Sequence, residues 1–289
     1  MNGPAGEAVT IVIPAFNEPS VGALVRELRR LHPSSPVLVV DDGSTDGTAD
    51  AAREAGARVV RHPYNKGNGA AVKTGLRRAE TDWVVLVDAD GQHLAEDVAR
   101  LLAPLGEFDL VIGAREASAE TLWWRRLANA VYNRLASWLV GFPIADLTSG
   151  FRAARRAAML EFVHLFPNGF SYPATSTLSF LRAGYDVAFV PVHMPSRSEG
   201  TSKIRLFRDG TRFLLIILKL VTLYSPLKVF APISAAFAVL GTVYGLWAFW
   251  ASGRFANGAL LAWMMATFVF LVGLISEQIN ALRIERREH

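Results

Sequence analysis

Short apolar runs broken by polar turns fill the chain to about residue 195, and an almost continuously apolar stretch follows Pro226. In the first part, Val9–Ile13 (VTIVI) has the length and β-branched content of a buried strand, and Pro14 is expected to stop it. Val21, Leu24, Val25, Leu28 and Leu31 then recur at helical spacing. Val37–Val40, Arg58–Arg61, Trp83–Val87 and Leu110–Ile112 read as further strands. Thr48–Ala55, Gly67–Arg78 and Leu94–Leu105 read as helices between them. Strands alternating with helices predict an α/β fold, a mostly parallel sheet covered on both faces. Ligands of such sheets sit beyond the carboxyl ends of the strands. The polar clusters after the first, second and fourth strands therefore place Asn17, Glu18, Asp41, Asp42, Asp88 and Asp90 along one edge.

Further along, Trp123–Leu139 has the pattern of an amphipathic helix with Arg125, Arg126, Asn129, Asn133 and Arg134 on its polar side. In Lys203–Tyr224, Arg205, Arg208, Arg212 and Lys219 form a basic stripe on an otherwise apolar helix, the pattern of a segment lying in a membrane interface. Val229–Ala251 and Ala256–Ser276 carry no charged residue. Each is long enough to cross a bilayer, at roughly 20 residues per span. Core helices of a soluble protein are the alternative, and a charge-free run over a whole bilayer length favours spanning. Arg254 sits in the turn between the runs, whereas Arg283, Arg286 and Arg287 follow them, which puts both termini in the cytosol by the positive-inside rule. The expected division is a cytosolic catalytic domain over 1–202, an interfacial helix over 203–225, and a two-helix transmembrane hairpin with a basic tail over 226–289.

Composition agrees with this division. The 289 residues are 51% hydrophobic, with a mean hydropathy of +0.25. The absence of cysteine excludes disulfide scaffolds, thiolate metal sites and cysteine nucleophiles. Met1–Val9 lacks the basic start and long apolar core of a signal peptide, so the first domain is expected to stay cytosolic. The net charge is +4, with local excesses at Arg197–Arg212 and in the tail. Both flank the apolar runs and suit an anionic membrane face rather than nucleic acid.

Three clusters carry candidate chemistry. In Asp88-Ala89-Asp90, two anions at a strand end repel unless a cation bridges them. Mg²⁺ and Mn²⁺ take a few carboxylates together with phosphate oxygens, and Gln92 and His93 are near enough to add a ligand. Solvated turn residues are the plainer reading of such a pair. Asp41-Asp42-Gly43-Ser44-Thr45-Asp46 is either a capped strand–turn–helix or a place where an Asp accepts hydrogen bonds from a nucleotide. Asn65-Lys66-Gly67-Asn68-Gly69 reads as a helix start or as a cradle of amides for a ligand. It lacks the third glycine of a dinucleotide fingerprint, which makes a dinucleotide cofactor the wrong expectation.

Taken in order, IVIPAFNE (Ile11–Glu18), VVDDGSTD (Val39–Asp46), NKGNGAAVKTG (Asn65–Gly75), DADGQH (Asp88–His93), DLTSGFR (Asp146–Arg152) and SRSEGTSK (Ser196–Lys203) resemble the family 2 glycosyltransferases. The branch they resemble is that of dolichyl-phosphate mannose synthase and the bacterial polyprenyl-phosphate glycosyltransferases. The resemblance implies a GT-A fold and an inverting transfer from a nucleotide-sugar, UDP-hexose being favoured, assisted by Mg²⁺ or Mn²⁺. It implies a polyprenyl-phosphate acceptor on the cytosolic face of a bacterial plasma membrane. Pro14, Ala15, Asn17, Glu18, Asp42, Lys66, Asp88 and Ala89 would hold the donor nucleotide. Asp88, Asp90 and Gln92 would take the metal. Asp90, Asp146, Arg115 and Arg197 would be catalytic. Arg115, Arg125, Arg126, Asn129, Ser149 and Lys203 would bind the acceptor phosphate, with Thr148 on the same side.

Two departures refine the expectation. The Q-x-x-R-W signature of processive polysaccharide synthases is missing, and Asn168–Thr177 holds no acidic residue to serve as a base. A phosphate acceptor needs none, because a phosphate monoester is mostly dianionic near neutrality. It needs cations instead. GDP-mannose as donor, or a glycan or protein as acceptor, stays open, as does a homo-oligomer built through the hairpin.

Overall fold

The computed structural model describes residues 8–91, 94–115, 123–169, 171–192 and 226–285. The chain forms two compact units, Met1–Lys203 and Ile204–His289.

The first unit is built on a seven-stranded sheet: β1 (Val9–Ala15), β2 (Val37–Asp41), β3 (Arg58–Arg61), β4 (Trp83–Leu86), β5 (Leu110–Arg115), β6 (Arg152–Arg155) and β7 (Val187–Val192). Their order is β3-β2-β1-β4-β6-β5-β7, and every pairing is parallel except those of β6. Successive side chains along a strand point to opposite faces, so one run of sequence feeds two cores. Ile11, Ile13, Val39 and Val85 pack with Val21, Val25 and Leu28 of α1 (Val21–Leu31), with Ala52 of α2 (Thr48–Glu54) and with Val98 and Leu101 of α4 (Val98–Leu102). Val12, Val40, Val84 and Ile112 pack on the other side, with Val72 and Leu76 of α3 (Asn68–Arg78), Met159 and Phe162 of α6 (Arg156–Phe162) and Phe180 of α7 (Tyr172–Arg182).

Several local expectations change. Pro14 does not stop β1, which pairs with β2 as far as Ala15. Ile11 N–H donates to Pro36 O and Ala15 O accepts from Asp42 N–H, so odd-numbered residues carry the bonds to β2. The ring nitrogen of Pro14 faces the β4 side, and β4 has ended at Leu86, so no ladder bond is lost. The helix expected over Leu94–Leu105 is one 3₁₀ turn (Ala95–Asp97) followed by the short α4. β6 and β7 are additional strands. β6 carries a buried arginine, and β7 holds Pro191, which an edge strand tolerates.

β6 positions the site. It descends between the rising strands β4 and β5, so its first residue, Arg152, lies beside Leu86 and Ile112 near their carboxyl ends. The segment that precedes β6 is thereby delivered to the ligand-binding edge of the sheet. α5 (Trp123–Val140) holds that segment: Asn133 Nδ2 donates to Ala145 O at 2.7 Å, and Leu147 N–H donates to Asn133 Oδ1 at 3.1 Å.

In the second unit, the helices Pro226–Ser252 and Asn257–Glu285 pair as a hairpin. Small residues line their seam: a Cβ on Gly241 would meet Ala262 Cβ at 3.0 Å, and one on Gly245 would meet Ala259 Cβ at 3.1 Å. Ser234 Oγ donates to Ala266 O at 2.7 Å. Both helices are long and apolar enough to cross a membrane, and their apolar side chains are mostly unburied, with Trp250 87% and Phe268 63% exposed. A soluble core helix would hide such residues. The interfacial helix expected over 203–225 and the tail residues Arg286 and Arg287 lie outside the described residues.

Candidate active site

The loops after β1 and β2 are stitched together. Asn17, in a left-handed conformation at φ 51°, donates its N–H to Ser44 Oγ at 2.9 Å and accepts from Thr45 N–H at 3.0 Å. Glu18 N–H donates to Thr48 Oγ1 at 2.8 Å. Pro14 and Ala15 end β1 as buried residues. Asp41 is fully buried, takes Ser44 N–H at 2.9 Å and pairs with Arg61 Nε at 3.1 Å.

Asp42 is the hub of this edge. Its Oδ1 accepts from Lys66 N–H at 2.9 Å and lies 2.6 Å from His62 Nδ1, and its Oδ2 accepts from Gly67 N–H at 2.7 Å. The carboxylate is 3% exposed, so most of its acceptor capacity is used within the protein. Gly43 makes this closeness possible: at φ +78°, a Cβ there would fall 2.6 Å from the carbonyl carbon of Tyr64. Lys66 itself is exposed, its Nζ 5.5 Å above the Tyr64 ring.

The glycines of the next cluster meet chain rather than ligand. Gly69 N–H donates to Gly169 O at 3.1 Å and Ala70 N–H to Asn168 O at 3.0 Å. A Cβ on Gly69 would sit 2.0 Å from Pro167 O. Gly67 and Gly69 thus admit the 167–169 loop against the start of α3, the helix-start reading of this cluster.

Asp88, Ala89 and Asp90 follow β4, with both carboxylates half-buried. The 146–152 segment lies directly against Asp88: a Cβ on Gly150 would fall 2.3 Å from Asp88 Oδ2. On the same segment Asp146 grips Arg115, the last residue of β5. Arg115 Nε donates to Oδ2 at 2.8 Å and Nη2 donates to Oδ1 at 3.2 Å. Thr148 donates to Asp146 through both its N–H and its hydroxyl at 3.0 Å, and its Oγ1 also accepts from Arg115 Nη2. Burial would push the Asp146 carboxyl up, but Arg115 and Thr148 more than offset it and hold it below the ordinary carboxylate value. The Ser149 hydroxyl is buried and has no hydrogen-bond partner among the described residues.

Behind this edge lies Arg152, with no exposed surface. Its Nη1 donates to Ser176 Oγ at 2.6 Å and Pro173 O at 3.0 Å, tying the 146–152 segment to α7, and its Nη2 donates to Ser149 O. Burial pushes its pKa down, against the fields of Tyr172, Asp146 and Asp88.

Arg152 and His62 are the site residues that sequence reasoning passed over. Arg152 closes a motif already singled out, and a charge in a strand was the available signal. His62 had no local signal. Of the other expected residues, Gln92, Arg197 and Lys203 lie outside the described residues. Arg125, Arg126 and Asn129 fall on the first turns of α5, with their side chains outside that description.

Comparison with known proteins agrees with the geometry. Residues 10–162 match Glycosyl transferase family 2, and residues 225–282 match the GtrB C-terminal hairpin. The glycosyltransferase AglJ of Haloferax volcanii is 30% identical over 98% of this chain and 97% of its own. The undecaprenyl-phosphate 4-deoxy-4-formamido-L-arabinose transferase of an Enterobacter species is 28% identical over 96% and 90%. Among solved structures, glucosyl-3-phosphoglycerate synthase from Mycobacterium tuberculosis, in complex with Mn²⁺ and UDP-glucose, superposes with a TM-score of 0.60. It is 25% identical and covers 75% of this chain and 79% of its own. The family 2 match covers the aspartate-bearing sheet domain and the GtrB match covers the apolar helix pair, and the chain belongs to the family 2 glycosyltransferases, with a C-terminal hairpin of the GtrB kind.

Proposed function

We propose that this enzyme transfers a sugar from a nucleotide-sugar, UDP-hexose being favoured, to polyprenyl phosphate at the cytosolic membrane face, with inversion at the anomeric carbon. The observation that carries the reading is the contact of Asp88 with Gly150. It sets Asp88, the first of the acidic pair that follows β4, against the segment that carries Asp146, the partner of Arg115. A carboxylate site and a guanidinium site on adjoining segments suit a diphosphate leaving group and a phosphate nucleophile.

Asp88 and Asp90 fit Mg²⁺ or Mn²⁺. Both supply hard carboxylate oxygens, the donor type that these ions take together with phosphate oxygens and water. The missing Cβ of Gly150 lets the 146–152 segment pack directly against the Asp88 carboxylate. When bound, such an ion neutralises charge on the departing nucleoside diphosphate.

The chain's own residues do the rest. Arg115 spends Nε and Nη2 on Asp146 and Thr148, and among the described residues Nη1 has no partner, which suits its two N–H groups to a phosphate oxygen. With both oxygens occupied and its pKa depressed, Asp146 is a poor proton acceptor and serves to orient Arg115. The lipid phosphate arrives as an anion and needs orientation and counter-charge more than a base. Arg197 and Lys203 are further candidates for that counter-charge, by position just before the expected interfacial helix. The undecaprenyl-phosphate acceptor named for the Enterobacter relative, and the Mn²⁺ and UDP-glucose of the mycobacterial structure, support this assignment.

The test is to incubate the purified full chain with polyprenyl phosphate, Mn²⁺ or Mg²⁺ and a panel of UDP- and GDP-sugars, then weigh the lipid product. A sugar-bearing polyprenyl phosphate is expected. Transfer only to a glycan, a peptide or a free alcohol would refute the acceptor assignment.

A further inference from the structure

We infer that His62 is a positioning residue for the donor nucleotide, acting through Asp42 and the Lys66–Gly67 backbone without touching the donor. The inference rests on the donor-site reading of Asp42 and Lys66 above.

His62 follows β3 and is 6% exposed. Its N–H continues the sheet by donating to Asp41 O at 2.8 Å. Its ring spans two elements: Nδ1 is 2.6 Å from Asp42 Oδ1, and Nε2 is 2.9 Å from Thr74 Oγ1 in the middle of α3. A carboxylate only accepts, so Nδ1 carries the proton. In the neutral ring Nε2 is then an acceptor, and the Thr74 hydroxyl donates to it. Asp42 thereby sets the tautomer, and the Thr74 hydroxyl, which can donate or accept, holds the far end of the ring in place.

The consequence reaches the loop. The same Oδ1 that meets the ring takes Lys66 N–H, and Oδ2 takes Gly67 N–H. Three donors from two segments hold the carboxylate at fixed angles. Without the ring, two amides from one loop remain, and carboxylate and loop can rotate together. The exposed Lys66 side chain would then lose its fixed placement relative to Ala15, whose carbonyl anchors Asp42 N–H at 2.9 Å.

The experiment uses the amide isosteres. In His62→Asn the side-chain amide reproduces Nδ1–H, and in His62→Gln it reproduces the Nε2 end. Binding of UDP and GDP with Mn²⁺, and separately of polyprenyl phosphate, is measured by calorimetry on the detergent-solubilised full chain. His62→Gln is expected to weaken nucleoside diphosphate binding about tenfold, the scale of one lost hydrogen bond to a charged group, while His62→Asn, which keeps the Asp42 contact and loses the one to Thr74, is expected to weaken it only about threefold. Lipid binding should not move in either. Equal loss in both variants, or parallel loss of lipid binding, would show a merely structural histidine and overturn the inference. Should His62→Gln fail to fold, Thr74→Val keeps the ring but removes its lock. That variant is expected to bind nucleotide about threefold more weakly, and wild-type affinity there overturns the inference. If the wild-type chain binds neither nucleotide, the donor-site reading falls and this inference with it. An unchanged His62→Gln beside a wild type that binds removes the inference alone.

Discussion

Arg115 and Asp146 meet in a two-point contact, Nε to Oδ2 at 2.8 Å and Nη2 to Oδ1 at 3.2 Å, at the edge where β5 ends and the segment leading to β6 begins. The acid is nearly buried and the guanidinium is partly open, so the pair presents its cationic side outward.

Asp146→Asn keeps the shape of this pair but removes its charge. The acceptor-dependent kcat/KM is expected to fall at least about tenfold, the scale of one charge-assisted hydrogen bond, with the donor KM little changed. Steady-state kinetics with varied polyprenyl phosphate checks this, and a change confined to the donor KM would contradict it.

The same pair sets an acid limit. The folded Asp146 carboxyl is held below its ordinary value of 3.8, so it contributes stability above that pH and loses the contribution as pH falls through its depressed value. Wild type should therefore lose more stability than Asp146→Asn on descending from neutrality into that range. Thermal unfolding of both chains across the acid range compares them, and superimposable profiles would contradict the expectation.

Gly150→Ala is expected to displace Asp88, since the new Cβ would fall 2.3 Å from Oδ2. Transfer should drop by about a hundredfold, with Mn²⁺ affinity falling in parallel, if the acidic pair holds the ion. Asp90→Asn should remove transfer and leave the fold intact, as should excess EDTA on the wild type. Titration of Mn²⁺ alongside the assay reads both effects, and full activity in EDTA would exclude the metal role.

Gly43→Ala combines a left-handed backbone with a collision against Tyr64. A loss of about 1–3 kcal/mol is expected, the usual cost of such strain. Chemical denaturation measures it, and nucleotide binding should weaken together with stability because Tyr64 leads directly into the Lys66 loop.

The hairpin can be checked by cross-linking, because the chain has no native cysteine to interfere. A Cβ at Gly245 lies 3.1 Å from Ala259 Cβ, close to the separation of about 3.5–4.5 Å that a disulfide spans. Oxidised Gly245→Cys/Ala259→Cys should give the intramolecular bridge by mass spectrometry. No bridge is expected if the two helices do not pair.

Much of this architecture was legible in the sequence, and what was hidden has a common cause. β1 to β5 announce themselves through period and β-branched content, and the acidic clusters through their place after those strands. β6 does not, because its four residues include a buried arginine whose partners, Ser149, Pro173 and Ser176, come from both sides of it in sequence. Its reversed direction is likewise a tertiary choice with no local pattern, yet it brings Gly150 to Asp88. His62 was silent for the same reason: a lone histidine after a short strand acquires meaning only when Asp42 and Thr74 converge on it. Pro14 misled because its effect depends on which neighbour its nitrogen faces, and that is a property of the sheet.

The docking of the 167–169 loop against α3 shapes the electrostatics of this enzyme. The backbone N–H groups of Lys66, Gly67, Gly69 and Ala70 are all satisfied by the protein itself. The positive pole that many nucleotide-binding folds offer to phosphates is here turned inward as mortar between elements. If the donor diphosphate binds at this edge as proposed, these four amides add nothing to its counter-charge, which then comes from side chains or from an ion that it brings along. Turnover should accordingly respond to divalent-ion supply and ionic strength more sharply than in folds where the backbone itself neutralises the phosphates.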